Sequence, residues 1–121
     1  MEPDESAFDL FQRGSRLLAE RQPAAAAVML ERCLALEPGK ASIQEALARA
    51  YYDQGAHAKA AETFQSIIDA NPLAHYAYFG LGLSRLRLGD RAAGGRHLRM
   101  AVFLKPENDD YRRALRRLDA A

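Results

Sequence analysis

Three prolines, Pro38, Pro72 and Pro106, stand 34 residues apart in a chain of 121. A fixed step of that length marks a repeated supersecondary unit, which constrains the fold to a stack of like pieces. Other columns come into register on the same step. Eight residues before each proline sit Leu30, Phe64 and Leu98; five before sit Cys33, Ile67 and Ala101; four before sit Leu34, Ile68 and Val102. Twelve before sit the small residues Ala26, Ala60 and Gly94, and twenty-four before sit Gly14, Ala48 and Gly82. Leu17, Tyr51 and Arg85 form a further column, twenty-one before. Small residues fall where helices must approach closely, and larger ones where they fill the space between.

Each unit reads as two helices. In the second, Ile43, Leu47, Ala50 and Tyr51 recur at helical spacing over 41–54. Gly55 breaks that stretch, as Gly89 does one unit later. A second helix is predicted over 57–70 through Ala60, Ala61, Phe64, Ile67 and Ile68, and Asn71-Pro72 stops it. The first unit has Arg21 where the others have glycine, and Pro23 opens its second helix. Ser6 and Asp9 resemble a capping box at the start of the first helix. After Pro106 a last helix fits over about 109–120, with Tyr111, Ala114, Leu115 and Leu118 on one face. The reading is an acidic lead over 1–6, repeats over 7–40, 41–74 and 75–108, and a capping helix over 109–121. That makes seven helices in a right-handed all-α solenoid, with the last helix closing the exposed apolar face of the third repeat.

Composition agrees. Alanine accounts for 24 residues, and β-branched residues are scarce. No apolar run reaches the length of a membrane span. The acidic start, Met1-Glu2-Pro3-Asp4-Glu5, is unlike a secretory signal, so a cytoplasmic protein is expected. The preference for Arg (14) over Lys (3), with abundant Ala, hints at a GC-rich bacterial source.

The chain resembles the tetratricopeptide repeat family. The third repeat carries that family's pattern in Tyr78, Leu81-Gly82, Leu98, Ala101 and Pro106; the second in Leu47-Ala48, Tyr51, Ala60, Phe64 and Pro72; the first in Leu10, Gly14, Leu17, Ala26, Leu30 and Pro38. Departures are Gln44 at an apolar column, Arg85 at an aromatic one, and Gly94-Gly95 inside a helix. The two glycines predict that their helix is the softest of the array. The resemblance implies a scaffold that binds a peptide or amphipathic helix of another protein in its concave groove, with no chemistry of its own.

In the family, the first helix of each pair lines that groove. The implied positions are Phe8, Phe11, Ser15 and Leu18 in the first repeat; Ser42, Glu45, Arg49 and Tyr52 in the second; Tyr76, Phe79, Leu83 and Leu86 in the third. The terminal helix adds Asp110, Arg113 and Arg117. The third repeat carries two apolar stripes on one helix, Tyr78, Leu81 and Leu88 for the core and Tyr76, Phe79, Leu83 and Leu86 beside it. The second stripe either faces a ligand or is covered by the terminal helix, and both readings stand. Phe8 and Phe11 carry the same ambiguity. Arg49, Arg87, Arg113 and Arg117 are expected to rim one concave end and to favour a partner with apolar anchors and acidic flanks. The alternative is ordinary solvated surface, with Glu45 and Arg49 as a helical pair.

One subclass of the family grips the terminal carboxylate of heat-shock chaperones with Lys and Asn side chains. The corresponding positions here hold Phe11, Ser15, Ala46, Tyr76 and Gly80, so that recognition is not expected. A nearer parallel is with short three-repeat chaperones of bacterial secretion systems. Residues 1–84 carry net charge −4 and residues 85–121 carry +5, which brings Arg-mediated nucleic-acid binding into view. Few aromatics interleave those arginines, which disfavours it. Self-association as a homodimer is the stronger alternative. No small-molecule substrate, cofactor or metal site is expected: His57, His75 and His97 share no helical ligand spacing, and Cys33 falls on a core column. No catalytic constellation appears, so an enzyme is not expected.

Overall fold

The computed structural model describes residues 5–120; Met1–Asp4 of the acidic lead and Ala121 at the chain end lie outside the described residues. Seven helices follow in order: α1 Ala7–Ala19, α2 Pro23–Leu36, α3 Ala41–Asp53, α4 His57–Ala70, α5 His75–Arg87, α6 Arg91–Leu104 and α7 Asp109–Ala120. Odd-numbered helices α1, α3, α5 and α7 begin 34 residues apart. Every helix packs on its chain neighbour, and α3 also touches α1 and α5, so the odd helices form one layer and the even helices the other.

The helix ends are set by local chemistry. Ser6 caps α1 by accepting the Asp9 N–H at 3.1 Å, and Pro23 occupies the first turn of α2, where no N–H is needed. Asp90 caps α6 by accepting from Ala93 at 3.1 Å, and Asn108 caps α7 by accepting from Tyr111 at 3.0 Å. The first helix of each pair ends on a left-handed residue: Arg21 (φ 59°), Gly55 (φ 90°) and Gly89 (φ 86°). In each case the next N–H reaches back to the carbonyl five residues earlier, Gln22 to Leu17, Ala56 to Tyr51 and Asp90 to Arg85, at 2.8 to 2.9 Å. This closure turns Leu88 out of the third repeat: it ends α5 46% exposed and is no part of the core stripe expected there.

The core runs between the two layers. Leu30, Ile67, Leu81 and Leu98 are fully buried, and the small column sits against them. A Cβ at Gly14 would lie 2.7 Å from Cγ of Leu30, and one at Gly82 would lie 3.0 Å from Leu98. In the pair α5–α6 backbone meets backbone. A Cβ at Gly94 would lie 2.6 Å from Leu86 and 3.1 Å from the Gly82 carbonyl oxygen. Gly94 is therefore a contact residue that lets two backbones meet. Cys33 is buried, and its thiol donates to the Ala7 carbonyl at 3.2 Å; burial first, and the Glu37 charge second, hold its pKa above the usual thiol range.

The terminal helix covers the third repeat. Tyr111 is buried against α5, its ring 4.7 Å from that of Phe79 and its hydroxyl 2.7 Å from Nδ1 of His75. At the other end of α7, the Leu118 carbonyl accepts from Arg91 of α6. Among the described residues no helix is long and apolar enough to cross a membrane.

Candidate functional site

The odd helices present one continuous face on which three cavities follow one another. The first, of about 410 Å³, lies between α1 and α3 and is lined by Phe11, Ser15, Leu18, Ser42, Glu45 and Arg49, among others. The second, of about 320 Å³, lies between α3 and α5. Tyr52, Tyr76, Phe79 and Leu83 form its walls, Phe64 and Gly80 close it behind, and Glu45, Arg49 and Asp53 stand around it. The third, of about 360 Å³, extends to α7, where Tyr52, Phe79 and Leu83 meet Arg87, Arg113 and Arg117. Leu86 lies just beyond, in a further cavity with Leu83, Ala114, Arg117 and Leu118.

The stripe of the third repeat thus has two roles at once. Tyr76, Phe79 and Leu83 line the groove half-buried, while Phe79 also stacks on Tyr111 of α7. The groove and packing alternatives left open by the sequence are two sides of the same residues. Phe8 lines none of these cavities and is 67% exposed, whereas Phe11 packs partly against the core and partly lines the first cavity.

The arginines divide. Arg87, Arg113 and Arg117 gather at the α7 end. Arg49 sits two helices away between the first and second cavities, beside Glu45. Glu45 and Arg49 form no ion pair among the described residues, nor do Arg87 and Arg117, while Arg113 reaches Asp110 at 3.3 Å on exposed surface. Arg87 donates from Nε to the Tyr52 hydroxyl at 3.2 Å and lies over its ring at 6.0 Å, which fixes both side chains at the junction of the second and third cavities. Burial, and then the Glu45 charge, raises the pKa of Tyr76, so its hydroxyl stays a neutral donor in the groove.

The face offers an apolar trough with aromatic walls, mixed charge at its centre and positive charge at one end. Exposed apolar patches with aromatic side chains and arginines are the composition of interaction surfaces in general. Among the described residues no three His, Cys, Asp or Glu side chains gather where they could hold a metal ion. The sequence columns did not reveal Phe64 as a groove residue, and they named Gly80 only as a position of the absent carboxylate clamp. Phe64 belongs to the core column of α4, and its access to the groove depends on the missing side chain at Gly80.

Solved structures share the architecture. The first TPR of Spaghetti (RPAP3), bound to the HSP90 peptide SRMEEVD, superposes with a TM-score of 0.88 at 18% identity, over 95% of this chain and 91% of that one. The Sgt2 TPR domain from Aspergillus fumigatus gives 0.87 at 22% identity, over 98% and 80%. MamA from Desulfovibrio magneticus gives 0.89 at 21% identity, over 95% and 65%. At these identities the likeness establishes the fold, a right-handed α-solenoid. No curated protein matches the chain. Two family models, both described as tetratricopeptide repeat, match residues 17–81 and 60–109. The first alone spans more than half of the sequence, and with the 34-residue step of its helices it places the chain in the tetratricopeptide repeat family.

Proposed function

We propose that the chain is a protein-interaction module, an adaptor or chaperone-like scaffold, that holds a peptide or amphipathic helix of a partner in the groove of its odd helices. The observation that carries this reading is the trough walled by Tyr52, Tyr76, Phe79 and Leu83, which the fold leaves half-buried and unfilled by its own side chains. Family membership supports it, as does the peptide seen on the related RPAP3 domain. The partner supplies apolar anchors to the trough and acidic flanks to Arg87, Arg113 and Arg117. It is not held by a Lys- and Asn-lined terminal-carboxylate clamp. Phe11, Ser15, Ala46, Tyr76 and Gly80, which occupy those positions, carry no cationic or amide side chain.

The test is capture of a partner from lysate by the wild-type chain and by a Phe79→Glu, Leu83→Glu double variant of unchanged helicity. Loss of one specific partner in the variant supports the groove; equal capture overturns it. Self-association is the second reading, favoured by Phe103 (78% exposed) and the exposed Met100 of the same helix. A clean monomer in sedimentation at micromolar concentration removes it.

A further inference from the structure

The column eight residues before each repeat proline holds Leu30, Phe64 and Leu98. Leu30 packs on Gly14 and Leu98 on Gly82, each inside its own repeat. Phe64 is the larger side chain, and it reaches past its own repeat to Gly80 on α5, where a Cβ would lie 2.2 Å from Cζ of its ring. One unit away on either side the column of Gly80 holds Ala46 and Ala114. So at the α3–α5 boundary a core-column side chain of an even helix forms part of the groove wall, whereas neither Leu30 nor Leu98 lines a cavity of the groove.

The cavity there, at about 320 Å³, lies at the small end of the range for ligand cavities and has room for one large side chain. Four rings surround it: Phe64, Tyr52, Tyr76 and Phe79. Rings gain from edge-to-face and offset contacts beyond their buried area, which an aliphatic side chain does not provide. Glu45, Asp53 and Arg49 around it supply two acceptors and a donor for a polar ring edge, which favours a ring that donates an N–H or O–H. The adjoining cavity sets three arginines against the single carboxylate of Asp110, a surface complementary to acidic residues.

We infer that this cavity takes one amphipathic aromatic side chain, Trp or Tyr, from a partner segment with acidic residues beside it, and that the Phe64–Gly80 contact sets this preference. The inference rests on the groove reading above and narrows it to one anchor.

The probes are three capped pentapeptides, Asp-Asp-Trp-Asp-Asp, its Leu counterpart, and a Lys-flanked Trp version. Each is titrated into the isotope-labelled chain and followed by amide NMR. The expected result is that the Trp peptide shifts the amides of Tyr76, Phe79, Gly80 and Arg87. It binds about threefold to tenfold more tightly than the Leu peptide, and the Lys-flanked version is weaker than both. In Phe64→Leu, which restores the residue used in the other two repeats, the preference for Trp over Leu disappears while circular dichroism is unchanged. Equal binding of the Trp and Leu peptides, shifts on another face, or no binding of the Trp peptide up to about 10 mM overturns the inference. If partner capture remains sensitive to Phe79→Glu in that event, only the aromatic anchor falls and the groove stands.

Discussion

Tyr111 of α7 meets Phe79 of α5 ring to ring at 4.7 Å and His75 through its hydroxyl at 2.7 Å, so one side chain joins the terminal helix to the groove wall. Removing it should loosen both. Tyr111→Ala is expected to cost about 3 kcal/mol of stability, and Tyr111→Phe about 1 kcal/mol for the lost hydrogen bond. Chemical denaturation gives the two values. Amide exchange should show faster opening of α7 in the alanine variant, and equal protection would argue that the helix is held elsewhere.

Arg21 holds a left-handed backbone (φ 59°) at a position where the other two repeats place glycine. Arg21→Gly relieves that strain, offset in part by the greater freedom glycine has in the unfolded chain. The net gain should be about 0.5–1 kcal/mol, read as a rise in melting temperature of a few degrees. A loss of stability would mean that the exposed Arg21 side chain contributes a contact that outweighs the strain.

Gly94 and Gly95 are neighbours with opposite expectations. Alanine is the better helix former by about 1 kcal/mol at either site. At Gly94 its Cβ would meet Leu86 at 2.6 Å and the Gly82 carbonyl at 3.1 Å, so Gly94→Ala should destabilise by about 1–3 kcal/mol. At Gly95 the nearest atoms, on Leu118 and Arg99, stand at 3.3 to 3.4 Å and belong to side-chain ends, so Gly95→Ala should be neutral or stabilising. Denaturant midpoints of the two variants decide the matter, and equal effects would refute the close-approach role of Gly94.

His97 is held below its usual pKa, first by burial and then by Arg85 and Arg96, with Asp90 acting weakly in the other direction. The native state therefore favours the neutral ring more than the unfolded chain does. Its contribution to stability is present above the ordinary imidazole pKa of about 6.5 and is lost as pH falls through the lowered native value. The chain should be less stable at pH 5.5 than at pH 7.5, and His97→Gln should shrink that difference. An unchanged difference would assign the pH dependence to other groups.

Much of the fold was legible in the sequence because the same punctuation recurs at one step. The prolines end the even helices, Gly55 and Gly89 end the odd ones, and Pro23 and Ser6 start theirs. Leu88 was misplaced because spacing continues through a helix end, whereas the left-handed closure at Gly89 swings the last residue outward. Grouping Arg49 with the other arginines failed for a related reason. Groove positions on a repeat share a face but not an end, and Arg49 lies on α3 while Arg113 and Arg117 lie on α7. The access of Phe64 to the groove could not be read from aligned columns, since it joins a column of one repeat to a different column of the next.

The sealed thiol of Cys33 has a practical consequence. It is the single cysteine of the chain, buried and hydrogen-bonded to Ala7, with its pKa raised, so it should stay silent toward maleimides while the protein is folded. A cysteine introduced at the exposed Arg87 would then be the sole reactive handle, at the junction of the two cavities, and the native chain would serve as its own unlabelled background. A dye at that position would report occupancy of the groove directly, and its sudden doubling of label under mild denaturant would time the opening of the first repeat.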